Sequence, residues 1–269
     1  MKFRTILAVV IGLVAACCFQ QRAEAGQTNV AVAANFTEAA KEIATAFKAK
    51  TGHDAALSFG ATGQLYTQIT QSAPFEVFLA ADEARPKKAV EDGLAAPESL
   101  FTYAIGKLVL WSKDPALVKG PETLNNAAFA KLAYCNPVGA PYGSAAVETL
   151  KALHLYEKLQ TKLVQGENIS QAFQFVETGN AELGFVALSQ VIKNSAGSRW
   201  IVLGHLPGNR WWEPAFSRLL WGHVHHALGF GGIVRGQAKR DVPEAGGSIA
   251  ANLVADALRD IVVNSVDSS

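Results

Sequence analysis

The stretch Asn29-Val-Ala-Val-Ala-Ala-Asn35-Phe-Thr37, followed by Ser58-Phe-Gly-Ala-Thr62-Gly63, decides how this chain folds. Each piece reads as a buried strand that runs into a short polar turn and then a helix. Such turns aim free backbone N–H groups, with the positive end of a helix dipole, at one point in space. Two in succession, carrying amide and hydroxyl donors but neither Lys nor Arg, describe a site for a dehydrated anion. The pattern points to capture of a small oxyanion rather than chemistry upon it.

Working outward, the first third alternates between strand and helix. Val30–Ala34 is an apolar strand, and Thr37 is placed to cap a helix whose apolar face is Ala40, Ile43, Ala44 and Phe47. Gly52 stops that helix, and Ala55–Phe59 forms the next strand. A helix from Gly63 to Gln71 follows, then a strand over Phe75–Ala80, then a helix from Glu83 to Asp92 stopped by Gly93. Repeated β-α-β units imply a parallel sheet flanked by helices, with ligands gathering at the carboxyl ends of its strands. Ile105–Trp111 is a further strand, where Gly106 eases a crossing into a second lobe. That lobe has strands at Leu132–Cys135 and Gly184–Ala187, a helix starting near Ser144, and another opened by Asn168-Ile169-Ser170. The fold class expected is α/β, with two lobes, each a mostly parallel sheet with helices, and a ligand cleft between them.

Composition narrows the class. Of the 269 residues, 49% are hydrophobic and 17% charged, enough for a large core and too apolar for disorder. Residues 1–25 read as a signal peptide: Lys2 and Arg4 precede the apolar run Ile6–Ala16, and Ala23-Glu24-Ala25 has the form of a cleavage site. Val14-Ala-Ala-Cys17 offers a competing lipoprotein boundary, which would leave a lipidated Cys17. Either route exports the protein. Without residues 1–25 the chain keeps 21 basic against 22 acidic residues, a formal charge of −1. No basic field or aromatic-basic stripe remains to bind nucleic acid. Cys135 is then the lone cysteine, in the apolar run Lys131-Leu-Ala-Tyr-Cys135, and reads as a buried inert thiol.

Five motifs in order, Ala33-Ala-Asn-Phe-Thr37, Ser58-Phe-Gly-Ala-Thr-Gly63, Ala80-Ala-Asp82, Pro141-Tyr-Gly143 and Asn168-Ile-Ser170, resemble the molybdate-binding protein family of molybdate ABC importers, from about Asn29 to Trp200. The resemblance implies a type II periplasmic binding protein whose lobes close on a tetrahedral dianion, molybdate or the similarly sized tungstate. It implies a monomer working with a membrane permease, with no cofactor and no metal beyond the oxyanion. Carried over residue by residue, the ligand contacts fall on Asn35, Thr62, Tyr142 and Ile169. A fifth position, sometimes Tyr in the family, falls on Ala187, which has no hydroxyl; Tyr142 supplies the phenol instead. On this resemblance the lobes divide as 26–106 for the first part of lobe I and 107–200 for lobe II, with 201–269 returning to lobe I.

The return departs from the family. The family returns through a Val-Pro turn and an aromatic-Pro-Ile strand; Ile201-Val202-Leu203 begins in the right manner, but Gly204–Gly247 does not follow that pattern, and strand–helix alternation stops until a closing helix over Ser248–Val263. A frameshift near codon 203 would account for this tail and would deprive lobe I of its returning strand. His223-Val-His225-His226 matches no zinc spacing. Asn35 and Thr62 also fit plain helix-capping roles, and Asp82 reads as a helix cap or a lobe-packing residue rather than a catalytic carboxylate. Three other functions remain open: a receptor for another tetrahedral oxyanion such as sulfate, a secreted α/β hydrolase or transferase, and an inactive product of a shifted gene. An enzyme would need a base beside Ser58, Thr62 or Ser144, for which His53 and His154 are the candidates.

Overall fold

The computed structural model describes residues 25–126, 129–193 and 196–202, and the backbone of Ile233–Arg235. In chain order, β1 (Gln27–Ala33) leads through a 3-10 turn (Ala34–Phe36) into α1 (Thr37–Thr51). Then come β2 (Asp54–Gly60), α2 (Thr62–Thr70), β3 (Val77–Leu79) and α3 (Ala84–Glu91). The chain continues through β4 (Leu108–Ser112), β5 (Leu132–Cys135), α4 (Pro141–Ala152), α5 (Tyr156–Leu159) and β6 (Leu163–Gly166). It goes on with α6 (Ile169–Glu177), β7 (Leu183–Ala187), α7 (Leu188–Val191), β8 (Ser198–Ile201) and β9 (Ile233–Arg235).

These strands form two sheets, ordered β2-β1-β3-β9 and β6-β5-β7-β4-β8. In the first, β1 is parallel to both neighbours, and Ala33 lies opposite Gly60 while Val32 lies opposite Leu79. That register brings three strand ends, and the turns that follow them, to one edge. Both faces are covered: Val30 and Val32 pack with Phe36, Ala40 and Phe47 on one side, Ala31 and Phe78 with Leu65 and Ala89 on the other. Continuous apolar strands therefore suit this sheet better than alternating ones. Burying Phe47 alone contributes about 1.5–3 kcal/mol. In the second sheet β5 is parallel to β6 and β7, whereas β4 runs antiparallel to β7 and β8. Cys135 lies opposite Gly166, so the turns into α4 and α6 also emerge side by side.

Several boundaries differ from the sequence expectation. Thr37 does not cap α1; its hydroxyl donates to the Ala34 carbonyl at 2.9 Å, tightening the 3-10 turn ahead of the helix. The third strand is shorter than Phe75–Ala80, and the fourth begins at Leu108 rather than Ile105. More consequential is α4, which starts at Pro141 rather than Ser144. Proline needs no N–H at the first helical position and its φ is already set for the helix. Tyr142 thereby enters the first turn.

The tail also differs. Within Gly204–Gly247 the described residues include one strand: β9 pairs antiparallel with β3, Ile233 opposite Leu79 and Arg235 opposite Val77. Lobe I thus has a returning strand, supplied by residues other than the family's usual motif. The closing helix proposed for 248–263, the histidine cluster 223–226, the signal peptide before Ala25 and Cys17 lie outside the described residues. Gly52 does end α1 with φ 77°, its N–H donating to the Lys48 carbonyl.

The approach of α4 to β5 depends on Gly143. A Cβ there would fall on the Cys135 carbonyl oxygen and lie 2.7 Å from Asn136 backbone atoms. Gly143→Ala is expected to cost on the order of 2–3 kcal/mol, since backbone rather than a flexible side chain must yield. Urea unfolding measures this, and an unchanged midpoint would show that the turn relaxes freely.

Candidate ligand-binding site

Four helical first turns converge where the two sheets present their strand ends. The first helical turn leaves N–H groups without intrahelical partners. In lobe I these belong to the 3-10 turn carrying Asn35 and to α2, which opens at Thr62; in lobe II, to α4, whose first N–H is that of Tyr142, and α6, which opens at Ile169. At α6 the Asn168 side chain accepts from the Ser170 and Gln171 N–H groups, at 3.0 and 3.1 Å, and leaves the Ile169 N–H unclaimed. Asn35, Thr62, Tyr142 and Ile169 are all buried.

The side chains of Asn35, Thr62 and Tyr142 are donors with free hydrogens, whereas Ile169 offers only its backbone N–H. The Thr62 hydroxyl oxygen accepts from the Ala81 N–H at 3.1 Å, which turns its own proton away from Ala81. Asn35 Nδ2 and Tyr142 Oη are buried without any hydrogen-bond partner. They come from opposite lobes yet lie together: burial, with Cys135 adding to it, pushes the Tyr142 phenol well above the ordinary tyrosine value, and the neighbouring Asn35 side chain offsets part of that rise without completing a hydrogen bond. Leaving a polar group buried and unpaired costs about 1–3 kcal/mol. Two such groups aimed at one place mark a site shaped for a ligand that supplies acceptors.

The walls are small and apolar. Ala33, Ala34, Ala61 and Ala81 from lobe I share one buried cluster with Cys135, Tyr142, Ile169 and Ala187 from lobe II. Ala187 offers no donor: its N–H is held by Gln190 Oε1 at 2.9 Å, and it has no hydroxyl. Its contribution is a wall. Burial pushes the Cys135 thiol up to about 12, so it stays protonated and unreactive.

One residue at the rim was missed by sequence reasoning. Arg85 pairs with Asp82 and also takes an N–H cap from its carboxylate, Arg85 N to Asp82 Oδ1 at 3.0 Å. Its other guanidinium nitrogen donates across the cleft to the Val138 carbonyl at 3.1 Å. Asp82 alone read as a helix cap or a lobe-packing residue, and the partner of Arg85 across the cleft is invisible in sequence. Asp82 serves as cap and anchor. The two candidate enzyme bases sit at the far ends of their elements from Thr62 and Ser144. His53 precedes β2 and accepts the Gly26 N–H at 2.9 Å, about 20 Å of strand away from Thr62. His154 follows α4, about 15 Å of helix from Ser144. Among the described residues no group of three or more His, Cys, Asp or Glu could hold a metal ion.

Comparison with known proteins places this arrangement. Residues 28–208 match the model of the bacterial extracellular solute-binding protein family. The molybdate-binding protein ModA of Rhodobacter capsulatus is 55% identical over 198 residues, covering 74% of this chain and 76% of its own. ModA of Azotobacter vinelandii is 51% identical over 207 residues, covering 76% and 80%. The solved periplasmic molybdate-binding protein of Azotobacter vinelandii superposes with a TM-score of 0.72 at 32% identity, covering 86% of this chain and 92% of that one. Its type II periplasmic binding architecture is the α/β, two-sheet arrangement described above. The chain belongs to the bacterial extracellular solute-binding protein family, as a relative of its molybdate-binding members.

Proposed function

We propose that this protein is an exported receptor that captures molybdate between its two lobes and hands it to the permease of an ABC importer in the periplasm. Tungstate, almost the same size, binds in the same way. The observation that carries the reading is the pair of buried, unpartnered donors, Asn35 Nδ2 and Tyr142 Oη, at converging helix N-termini. Asn35, Thr62, Tyr142 and Ile169 are the contacts we assign, each through its backbone N–H, with the first three adding a side-chain hydrogen. Ala187 is assigned no contact.

The donor set suits a fully deprotonated dianion. Charge-assisted hydrogen bonds from neutral donors are short and strong in a dry site, and helix dipoles add to them without any counter-charge. A protonated phosphate would turn its O–H towards hydrogens alone, an unpaired group costing about 1–3 kcal/mol. Cleft size then separates molybdate from sulfate. The binding cycle is lobe closure with no covalent step, and the positions of His53 and His154 support binding over catalysis.

Calorimetric titration with molybdate is expected to give one site per chain, displaced readily by tungstate and poorly by sulfate or phosphate. Sulfate binding as tightly would transfer the assignment to a general oxyanion receptor. Tyr142→Phe separates binding from folding: it removes an oxygen that has no partner in the unliganded protein. Affinity should fall about tenfold to a hundredfold, the worth of a hydrogen bond to a charged group, while thermal stability holds or rises. A drop in both would mean that the phenol has a structural partner instead.

The pH dependence follows from the same residue. A phenol whose folded pKa is raised contributes stability that is complete below its unfolded value, about 10, and lost as pH rises through the folded value. The Tyr142 donor therefore stays protonated throughout the neutral and mildly alkaline range. Molybdate affinity should be flat from about pH 7 to 9, and a decline with midpoint in that window would show that another group titrates in the site.

A further inference from the structure

Several hydrogen bonds join the lobes without using any of the donors assigned to the ligand. On one flank, the Gly63 N–H donates to the Gly139 carbonyl at 2.8 Å and Arg85 to the Val138 carbonyl at 3.1 Å. On the other, Ser170 Oγ donates to the Ala34 carbonyl at 3.2 Å and Ser189 Oγ to the Asn35 carbonyl at 2.7 Å. Outside both, Lys193 pairs with Glu42 at 2.7 Å, but these side chains are 83% and 69% exposed, and such a pair adds little.

The first flank differs in being built. Arg85 is only 26% exposed and its Asp82 partner 15%. Asp82 caps α3 and holds the guanidinium in place before it reaches across, so little side-chain entropy is lost on closing. The opposite face of the contact is backbone: the turn between β5 and α4, whose Val138 side chain points to solvent at 84% exposure while its carbonyl faces Arg85. That turn is itself braced, Asn136 Oδ1 accepting from the Val138 N–H at 2.9 Å and the Pro137 carbonyl from Ser144 Oγ at 2.6 Å. Gly63 makes the approach possible. A Cβ there would lie 3.0 Å from the Gly139 carbonyl oxygen and 3.1 Å from the Arg85 guanidinium.

We propose that Arg85, held by Asp82, and Gly63 form a closing latch that grips the 136–140 turn of the opposite lobe and sets how long the ligand is retained. This rests on the oxyanion-receptor reading for its ligand but on ligand-free contacts for its geometry. Arg85 is a positioning residue: it acts on the anion through the lobe carrying Tyr142, whose helix starts directly after the gripped turn. Because the latch holds lobes that are already closed, it governs release more than capture.

Two variants act on the latch from different sides. Arg85→Ala removes the grip. Gly63→Ala places a methyl group in the interface while improving helix propensity in α2, so lobe I should be no less stable. Stopped-flow release of molybdate is expected to accelerate about fivefold to tenfold in each, the effect of losing a partly exposed charge-assisted hydrogen bond. Association should change less than twofold, and Arg85→Lys should recover part of the loss. Small-angle scattering should show a larger radius of gyration for both variants than for the wild type, with and without molybdate. Release at the wild-type rate from well-folded Arg85→Ala and Gly63→Ala overturns the latch. If the wild type binds no molybdate, the ligand assignment falls instead, and the latch is judged on scattering of the unliganded proteins, where equal radii overturn it.

Discussion

Unclaimed N–H groups at the starts of helices are the constraint on which this structure turns. Every α-helix leaves them, and a protein commonly caps them with a side chain or leaves them to water. Here Asn168 caps α6 but stops one residue short, so that the Ser170 and Gln171 N–H groups are satisfied and that of Ile169 is not. No side chain caps α2 or α4. Donors left in this way, in a wall of alanines, are stable only if something with acceptors completes them or the lobes part to admit water. Binding and lobe movement are thus two outcomes of a single deficit.

The rest of the fold serves to bring those starts together. Parallel pairing with Ala33 opposite Gly60, and Cys135 opposite Gly166, aligns strand ends so that successive turns face the same way. Small residues then set the distance. Alanines at 33, 34, 61 and 81 let lobe I meet lobe II without a bulky side chain between them. Gly143 lets α4 begin against the Cys135 carbonyl, and Gly63 lets α2 reach Gly139. A larger residue at Gly143 would move donors that a small anion needs to meet simultaneously, whereas one at Gly63 would part the two lobes at the rim.

Sequence reading reached the strand–turn–helix pattern, the stop at Gly52 and the helix opened by Asn168-Ile169-Ser170, because each is a local signal with a local cause. It singled out Asn35 and Thr62, both buried in the structure, for the same reason: polar residues at the ends of apolar strands. The start of α4 was placed three residues late although Pro141 carried the signal, since the Pro-Tyr-Gly run reads equally as a turn. The Arg85 bridge was not legible, because its partner is a carbonyl at Val138, and a carbonyl has no sequence signature. Likewise β9: Ile233-Val234-Arg235 is an unremarkable triplet, and only the open edge of β3 gives it a place. What sequence lacked in each case was tertiary: which backbone groups were left unmet.

The position of Arg85 bears on how a receptor can hold a dianion and still give it up. A guanidinium inside the site would bind more tightly, but a full charge desolvated there would stay costly whenever the anion left. Neutral donors avoid that, since an open cleft lets water replace the anion on each of them. The charge that is present stands at the rim, neutralised by Asp82 and directed at a carbonyl of the other lobe. It contributes to closure and adds no net field to the cleft. On the proposed assignment this separates recognition from retention: helix starts and the Asn35 and Tyr142 side chains would select the anion, while contacts outside them would decide its lifetime. Retention can then change, by mutation at the rim or by a permease that prises the lobes apart, with the donor set for the anion left intact.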